Sequence, residues 1–300
     1  MKKLEIILEK DRFYPGDEVS GTVVLRSDKT IRSRGLWFQA LGREESMVYV
    51  SRGKNSHYTT DHHIVVEFKE SLAEAGDIQP GEYNFPFSFI IPEEAIPSYA
   101  GKDASVVYAL ATWVDIPHWP DARAKMPFFV TAQSIAYPVI PGGLQYSSEE
   151  GETETAGERP VIELRMERKG FYPGEKIPCT VRITNQAKKK LRKLTASLLA
   201  VEHTRALSYT GVAIPETHKT EIDLPKEQDI LEFPIYLPIP KGVRSSYEGK
   251  LTRLEWQLNL KLDVALGKDV SLKCPIAING PQKVDKDRFA ELTKTLKFMM

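Results

Sequence analysis

A pattern that occurs twice constrains this chain more than any other feature. Residues 13–25 read FYPGDEVSGTVVL and residues 171–183 read FYPGEKIPCTVRI, at an offset of 158 residues. Each copy follows a short run of alternating apolar and polar residues, which is typical of a strand with one buried face. Pro-Gly favours a turn because proline presets φ at one corner and glycine accepts a positive φ at the next. The pattern predicts two domains that each open with strand, turn and strand.

The duplication extends well beyond this opening pattern. Phe-Pro recurs from 85–86 to 233–234, SYAG at 98–101 returns as SYEG at 246–249, and the strand-like run 107–115 returns at 255–263. These three landmarks share an offset of 148 residues, so the second copy is ten residues shorter than the first. We place the missing residues in the loops around 51–76.

Length and strand pattern together predict the architecture. Three hundred residues suit two domains, and short strands separated by turn signals indicate β-sandwiches. We therefore expect an all-β chain with two tandem immunoglobulin-like β-sandwich domains at 1–137 and 161–280. An acidic Gly/Ser linker, expected to be mobile, occupies 138–160, and an amphipathic tail occupies 281–300.

Two local expectations concern the first domain. The segments 47–50 and 62–68 look like the strands of a hairpin, with 51–61 as its loop. The polar stretch 71–79 could hold one helical turn.

Charge and cysteine content exclude several classes of protein. Lys plus Arg equals Asp plus Glu, 41 against 41, so bulk nucleic-acid binding is not expected. The second half, 161–300, carries 25 basic and 17 acidic side chains, a net charge of +8. Two cysteines, Cys179 and Cys274, are too few for a disulfide framework. The sequence is compatible either with two buried thiols or with one disulfide bridge between them.

No cofactor, signal peptide or membrane helix is predicted. Strand alternation begins at Leu4, which leaves no room for an apolar leader, and no stretch approaches the roughly 20 apolar residues of a membrane helix. We expect a cytoplasmic protein.

A basic run in the second half is the strongest charge cluster. It reads either as a solvated turn between strands or as a contact for anionic lipid headgroups. Its cations are Lys188, Lys189, Lys190, Arg192 and Lys193.

The C-terminal residues 287–300 have helical periodicity. Phe289, Leu292, Leu296 and Met299 form one apolar stripe. A free helix of about fourteen residues is only marginally stable in water, so the stripe is expected to dock. The first domain, a second copy of the chain and a membrane interface are the alternatives, and self-docking or a dimer contact is favoured.

Histidines near Asp61 suggest a metal site at first sight. His62 and His63 follow Asp61 directly, and His57 is near. On a strand, however, His62 and His63 point to opposite faces and cannot share one metal without a bend. An exposed strand is the preferred interpretation.

These motifs together resemble the arrestin family, in particular its α-arrestin and prokaryotic arrestin-like members. FYPGDEVSG at 13–21 is similar to the family's approach to its second strand. FPFSF at 85–89 with PSYAG at 97–101 is similar to a second family motif, and 107–119 is similar to a strand and turn that follow it. In the second domain, 184–198 is similar to a further family segment. The resemblance covers most of 1–280.

The resemblance implies two sandwiches joined by a hinge, and a non-enzymatic adaptor or scaffold in trafficking, signalling or regulation. Its implied partners are proteins, including the tails of membrane proteins, and a sporulation-control-type regulator fits equally well. In arrestins the region of the first strand binds phosphorylated tails. The resemblance therefore implies a phosphate contact at the cations that flank this strand here, which are Lys2, Lys3, Lys10 and Arg12. The alternatives from other classes are a metal-dependent hydrolase that uses His57, His62 and His63, and a self-assembling structural protein. A monomer or homodimer is expected.

Overall fold

The computed structural model describes residues 2–53, 55–118, 121–133, 136–148, 159–224, 229–281 and 283–298. The strands of the first sandwich are β1 (Lys2–Leu8), β2 (Arg12–Phe13), β3 (Glu18–Ser27), β4 (Ile31–Ser33), β5 (Gly35–Arg52), β6 (Asn55–Ala73), β7 (Gly76–Ile78), β8 (Gly81–Ile90), β9 (Tyr99–Ala100), β10 (Ala104–Asp115) and β11 (Ala122–Val130). The strands of the second sandwich are β12 (Leu144–Ser147), β13 (Val161–Met166), β14 (Gly170–Phe171), β15 (Lys176–Thr184), β16 (Leu191–Ala206), β17 (Tyr209–Ile222), β18 (Ile230–Pro238), β19 (Tyr247–Glu248), β20 (Thr252–Val264) and β21 (Val270–Ile278). The helix α1 spans Lys286–Thr295.

The two sandwiches have equivalent sheets, and the predicted all-β, two-sandwich fold is confirmed. In the first, the sheet orders are β1-β3-β8 and β2-β11-β10-β5-β6; in the second, β13-β15-β18 and β14-β21-β20-β16-β17 follow the same pattern. Strand β12 adds to the edge of β13, while β4 and β7 pair in the first sandwich.

The repeated Pro-Gly turn has the same geometry in both copies. Gly16 has a φ of 85° and Gly174 has a φ of 87°. Residues other than glycine rarely adopt this backbone conformation. In each copy the acidic residue after the glycine accepts a hydrogen bond from the tyrosine N–H three residues earlier, at 3.0 Å for Asp17 and 2.9 Å for Glu175. The same local chemistry therefore links the short strand to the long one twice.

Each sandwich is filled by inward-facing apolar side chains. In the first, Phe38 stacks on Phe87 with ring centroids 4.0 Å apart, and both are buried. In the second, the fully buried Trp256 donates its Nε1–H to the carbonyl of Arg244 at 2.9 Å. An aromatic pair and an indole with its polar atom satisfied are stable ways to fill the space between two sheets.

Three expectations about local structure were wrong. The predicted loop 51–61 is largely strand, because β5 runs to Arg52 and β6 starts at Asn55, so the hairpin is longer than its alternation indicated. The stretch 71–79 holds strand ends and β7 rather than a helical turn, since β6 and β7 both find pairing partners. Part of the predicted linker forms β12 in the second sandwich; its acidic residues 149–158 lie outside the described residues.

The two thiols lie in opposite sheets of the second sandwich. Cys179 is on β15 and Cys274 is on β21; both are free and buried. Burial raises the pKa of each thiol to about 12, and for Cys274 the neighbouring Cys179 adds to the effect. The sequence left two interpretations open, two buried thiols or one disulfide, and the structure contains two buried free thiols.

We expect both thiols to be unreactive in the folded protein. A pKa near 12 leaves about one thiol in ten thousand as thiolate at pH 8, and the sulfur atoms are buried as well. Alkylation followed by mass spectrometry should show no label after brief treatment under native conditions and two labels in denaturant. A chain that takes up no label even after unfolding would carry a disulfide and contradict the structure.

Candidate functional site

Two buried carboxylates organise the interface between the sandwiches. Glu44 lies on β5 and Glu202 on β16, at the repeat offset of 158 residues. Both are fully buried, which is uncommon for an ionisable side chain unless its oxygens are satisfied. Each carboxylate points into a loop of the opposite sandwich.

Glu44 binds the loop between β19 and β20. Its carboxylate accepts hydrogen bonds from the backbone N–H groups of Lys250 at 3.1 Å, Leu251 at 3.0 Å and Thr252 at 2.7 Å. The hydroxyl of Thr252 donates to the same carboxylate at 2.8 Å. Successive backbone N–H groups that converge in this way form an anion-binding nest.

Glu202 makes the reciprocal contact with the first sandwich. It accepts from the N–H of Lys102 at 3.1 Å, the N–H of Asp103 at 2.7 Å and the hydroxyl of Tyr99 at 2.7 Å. Burial raises the pKa of Tyr99 well above its ordinary value, and the Glu202 carboxylate raises it further, so the phenol keeps its donor proton. We call the two contacts together the carboxylate clamp.

The repeated SYxG motif builds the receiving loops. Gly101 and Gly249 are the glycines of its two copies, and a Cβ at either position would collide with the carboxylate of Glu202 or Glu44. Tyr99 and its equivalent Tyr247 meet at the centre of the interface with ring centroids 5.0 Å apart. The motif therefore supplies close backbone approach and an aromatic contact at once.

Serine side chains fix each loop to its own sandwich. The N–H of Val130 donates to Ser98 Oγ at 2.9 Å, and the N–H of Ile278 donates to Ser246 Oγ at 3.0 Å. Because the loops are held this way, their N–H groups are oriented before the opposite carboxylate arrives, which lowers the entropy cost of the contact.

A smaller apolar contact lies beside the clamp. Val48 and Val50 on β5 pack with Ala206, and Tyr209 adjoins them. Ser46 Oγ donates to the carbonyl of Arg205 at 2.6 Å across the same boundary. The end of β16 is thus the end that meets the first sandwich.

The C-terminal tail docks on the first sandwich. Phe289 and Leu296 are buried there and Leu292 packs at the margin, whereas Met299 lies outside the described residues. The helix ends at Thr295, so Leu296 follows it in extended conformation. The site on the first sandwich consists of Leu41, Val107, Ala109, Ala111 and Phe129.

The basic run forms a turn at the far end of the second sandwich. Asn185 holds the turn, because its side chain accepts from the N–H of Lys189 at 3.0 Å and donates to the carbonyl of the same residue at 2.8 Å. Lys188, Lys189 and Lys190 are exposed around it.

The last two cations of the run have acidic partners. Lys193 Nζ lies 2.7 Å from Glu221 Oε1, and this hydrogen bond raises the lysine pKa. Arg192 lies 3.6 Å from Asp263. The cations open to a ligand are therefore the three lysines of the turn.

The structure does not bring the four N-terminal cations together. Lys3 lies 3.2 Å from Glu5 near the start of β1, while Lys10 lies 3.0 Å from Asp17 beyond its end, about 20 Å away at the rise of a strand. Arg12 is exposed on β2, and the side chain of Lys2 lies outside the described residues. A phosphate site needs converging cations, and this arrangement lacks the convergence.

The three histidines are spread along β6. His57 is opposite Val50, His62 opposite Glu45 and His63 opposite Glu44. Five residues of strand separate His57 from His62, about 16 Å, so the two cannot bind one ion. Over the described residues there is no group of three or more His, Cys, Asp or Glu that could hold a metal.

Sequence reasoning missed the clamp. The repeat offset of 158 residues places Glu44 and Glu202 at equivalent positions in two apolar, strand-like runs, and this coincidence was the available signal. The SYxG motif was found, but its glycine carried no hint that a carboxylate from the other domain would approach it.

Comparison with known proteins is decisive about the family. Residues 4–135 match the family described as "Arrestin (or S-antigen), N-terminal domain", and 158–282 match "Arrestin (or S-antigen), C-terminal domain". The chain belongs to the arrestin family. Proteins of this family are generally non-enzymatic adaptors that bind protein partners.

Curated relatives are arrestin domain-containing proteins. Protein A of Dictyostelium discoideum is 25% identical over 310 residues, which cover 93% of this chain and 51% of the relative. Protein C of the same organism is 27% identical over 68% of this chain and 32% of the relative, and human protein 4 is 29% identical over 62% and 49%. This arrestin chain thus spans between about a third and a half of their lengths. No helix in the described residues is long and apolar enough to cross a membrane.

Substitution of one clamp glutamate should loosen the opposite arrestin domain. In Glu202→Gln an amide NH₂ faces backbone donors, and a buried N–H left unsatisfied costs about 1–3 kcal/mol. We expect faster hydrogen exchange at Lys102 and Asp103, which lie in the other sandwich. Gly101→Ala should have the same effect, because its Cβ collides with the carboxylate.

The matched controls are Glu255→Gln on the same sandwich and Gly76→Ala, where a Cβ meets open space. Unchanged protection of Lys102 and Asp103 in Glu202→Gln would show that the clamp does not hold the interface.

Proposed function

We propose that this chain is a non-enzymatic adaptor or scaffold that binds protein partners, including tails of membrane proteins, in trafficking, signalling or regulation. The carboxylate clamp carries the proposal. Glu44 and Glu202, the fully buried carboxylates of the described residues, are both used to hold backbone N–H groups of the other sandwich. Carboxylates so occupied are structural, and they join two sandwiches into one continuous binding surface.

The hydrolase alternative has little geometric support. A metal-dependent hydrolase needs ligands that converge on one ion, and β6 separates His57 from His62 and sends His63 to the opposite face from His62. Metal analysis of the purified protein tests it directly, since bound zinc or manganese lost in His62→Ala and His63→Ala would favour the enzyme.

We further propose a cytoplasmic protein that contacts anionic membranes weakly at the basic turn. Lys188, Lys189 and Lys190 project at the end of the second sandwich remote from the interface. A surface placed there can touch lipid headgroups while the rest of both sandwiches stays available to a protein. Lysines near an anionic leaflet contribute about 1 kcal/mol each.

The adaptor proposal predicts that partner capture depends on the clamp. Affinity capture from native lysate with the wild-type chain as bait should recover a reproducible set of proteins. Recovery should fall several-fold with the Glu44→Gln, Glu202→Gln double variant, because a surface shared by both sandwiches is lost when they separate, and it should persist with Glu255→Gln. If all baits recovered the same set of proteins equally, the partners would not bind a surface that is shared by the two sandwiches.

Light scattering on the same preparations tests the remaining alternative, a self-assembling structural protein. A monomer or homodimer is expected of an adaptor, whereas large assemblies that form without any partner would favour a structural protein.

The basic turn predicts salt-sensitive binding to vesicles that contain phosphatidylserine. Replacing Lys188, Lys189 and Lys190 by Ala should weaken co-sedimentation about 100-fold at low salt, at about 1 kcal/mol per lysine. Binding of the wild type should fall steeply towards physiological salt, because exposed charges are screened over about 8–10 Å. The control replaces Lys169, Lys219 and Lys273, which removes the same charge from dispersed exposed sites. Equal loss in both triple variants would exclude the turn as the contact.

A further inference from the structure

The solvent-facing side of the sheet β12-β13-β15-β18 carries an exposed apolar cluster, which we call the proline face. Its members are Pro178 on β15 and Pro234, Tyr236 and Pro238 on β18, and all four are exposed. The side chain at the centre, Tyr236, is 64% exposed. Apolar residues clustered on the solvent side of a sheet indicate a surface that another molecule covers.

The first sandwich lacks the centre of this cluster. Pro178 and Tyr236 stand directly opposite each other in the register of β15 and β18. The equivalent pair on β3 and β8 is Ser20 and Ser88. A pair that the sandwich needs in order to fold would be expected in both copies, so Pro178 and Tyr236 serve a purpose outside the sandwich itself.

The cluster favours contact through the face of the sheet and not through its edge. β18 is an edge strand, and an edge strand ordinarily offers a row of free N–H groups to a further strand. Pro234 and Pro238 have no N–H to offer. Burial of a proline costs no side-chain entropy, so the same residues are well suited to face contacts.

A hollow beside Tyr236 has room for an aromatic side chain. Its volume is about 410 Å³, and its lining spans three strands and includes Arg165, Glu167, Pro178 and Pro234. A cavity of about 150 Å³ is enough to hold a benzene molecule. A tyrosine ring that approaches Pro178 from outside would therefore enter this hollow.

The register of β15 and β18 makes the face complementary to itself. Two sheets can stack face to face about a twofold axis that runs along the strands, between β15 and β18. Each residue of β18 then faces, in the second copy, the residue of β15 that is its own register partner. Tyr236 meets Pro178 of the second copy in this way. Glu232, whose register partner is Arg182, meets Arg182 of the second copy.

The charges at the ends of the face select this axis. An axis across the strands would bring Lys176 of one copy onto Arg182 of the other, which repels. The axis along the strands pairs Arg182 with Glu232 twice. Within its own chain Arg182 lies 3.7 Å from Glu163, a long ion pair between exposed side chains that contributes little. Arg182 is therefore available to a second copy.

We propose that the proline face is the contact surface of a homodimer in which two copies of this chain stack about the axis along β15 and β18. The inference goes beyond the adaptor function and does not rest on it. The face offers about eight residues of β15 and β18 in each copy, fewer than the roughly 20–30 of a standard interface. The dimer is therefore weak, and its population rises with the local concentration of the chain.

Sedimentation equilibrium of the full chain over a wide concentration range tests the proposal. We expect the wild type to show an equilibrium between monomer and dimer. Tyr236→Ala should weaken the dimer at least about tenfold, because a tyrosine at the centre of an interface is commonly a hot spot. The matched control is Tyr58→Ala, which removes a tyrosine of similar exposure, 61%, from the first sandwich and should change nothing.

Charge reversal tests the direction of the axis. Arg182→Glu and Glu232→Arg each place like charges across the contact, so each variant alone should dimerise more weakly than the wild type. An equimolar mixture should regain the dimer, because a copy with two acidic side chains then meets a copy with two basic ones. Circular dichroism shows whether each variant is folded, and recovery on mixing cannot arise from a change within one chain.

Several outcomes would overturn the proposal. These are a wild type that stays monomeric at every concentration, a dimer that Tyr236→Ala leaves intact or that Tyr58→Ala weakens as much, and folded charge variants that do not associate when mixed. A monomeric wild type whose Tyr236→Ala variant loses captured proteins would assign the face to a different protein. Sedimentation needs no cellular partner, so the homodimer and the adaptor function can fail independently.

Discussion

The relative position of the two sandwiches depends on burying two carboxylates between them. A carboxylate removed from water must regain hydrogen bonds, and here backbone N–H groups of the opposite sandwich provide most of them. Each hydrogen bond described for Glu44 and Glu202 comes from a residue of the opposite sandwich. Separation would expose both glutamates and both nests to water, so these reciprocal hydrogen bonds exist only while the two sandwiches stay joined.

Internal duplication explains why the clamp is reciprocal. Two copies of one unit each carry a glutamate on the long strand and a receiving SYxG loop. When the copies meet about an approximate twofold axis, each glutamate reaches the loop of the other, as in an isologous dimer interface. The central contact of Tyr99 with Tyr247 lies where such an axis would pass.

The two copies have diverged most where they face outward. The first sandwich carries a longer hairpin and an apolar outer face on β10 that α1 covers. The second carries polar residues at the equivalent positions of β20 and a lysine-rich turn at its far end. Interior positions must keep their volume and polarity for the sandwich to fold, whereas outward positions are free to change. Differences between the copies therefore mark the surfaces on which a proposal about partners can rest.

The sequence by itself determined the fold class, the duplication and the family resemblance, because strand alternation and Pro-Gly turns are local and repeat at fixed offsets. It also indicated an apolar stripe in the tail from helical period alone. Local pattern misjudged the hairpin of β5 and β6 and the strand β12, since pairing partners far along the chain extend strands beyond their own propensity. Only the tertiary structure decided that Glu44 and Glu202 are buried, that the N-terminal cations stay apart and that α1 lies on the first sandwich. The cations are kept apart by the length of β1 and paired with acidic residues near them in the chain. The buried glutamates and the docked helix depend instead on which distant residues meet, and a contact between residues about 100 or more positions apart leaves no periodic trace in the chain.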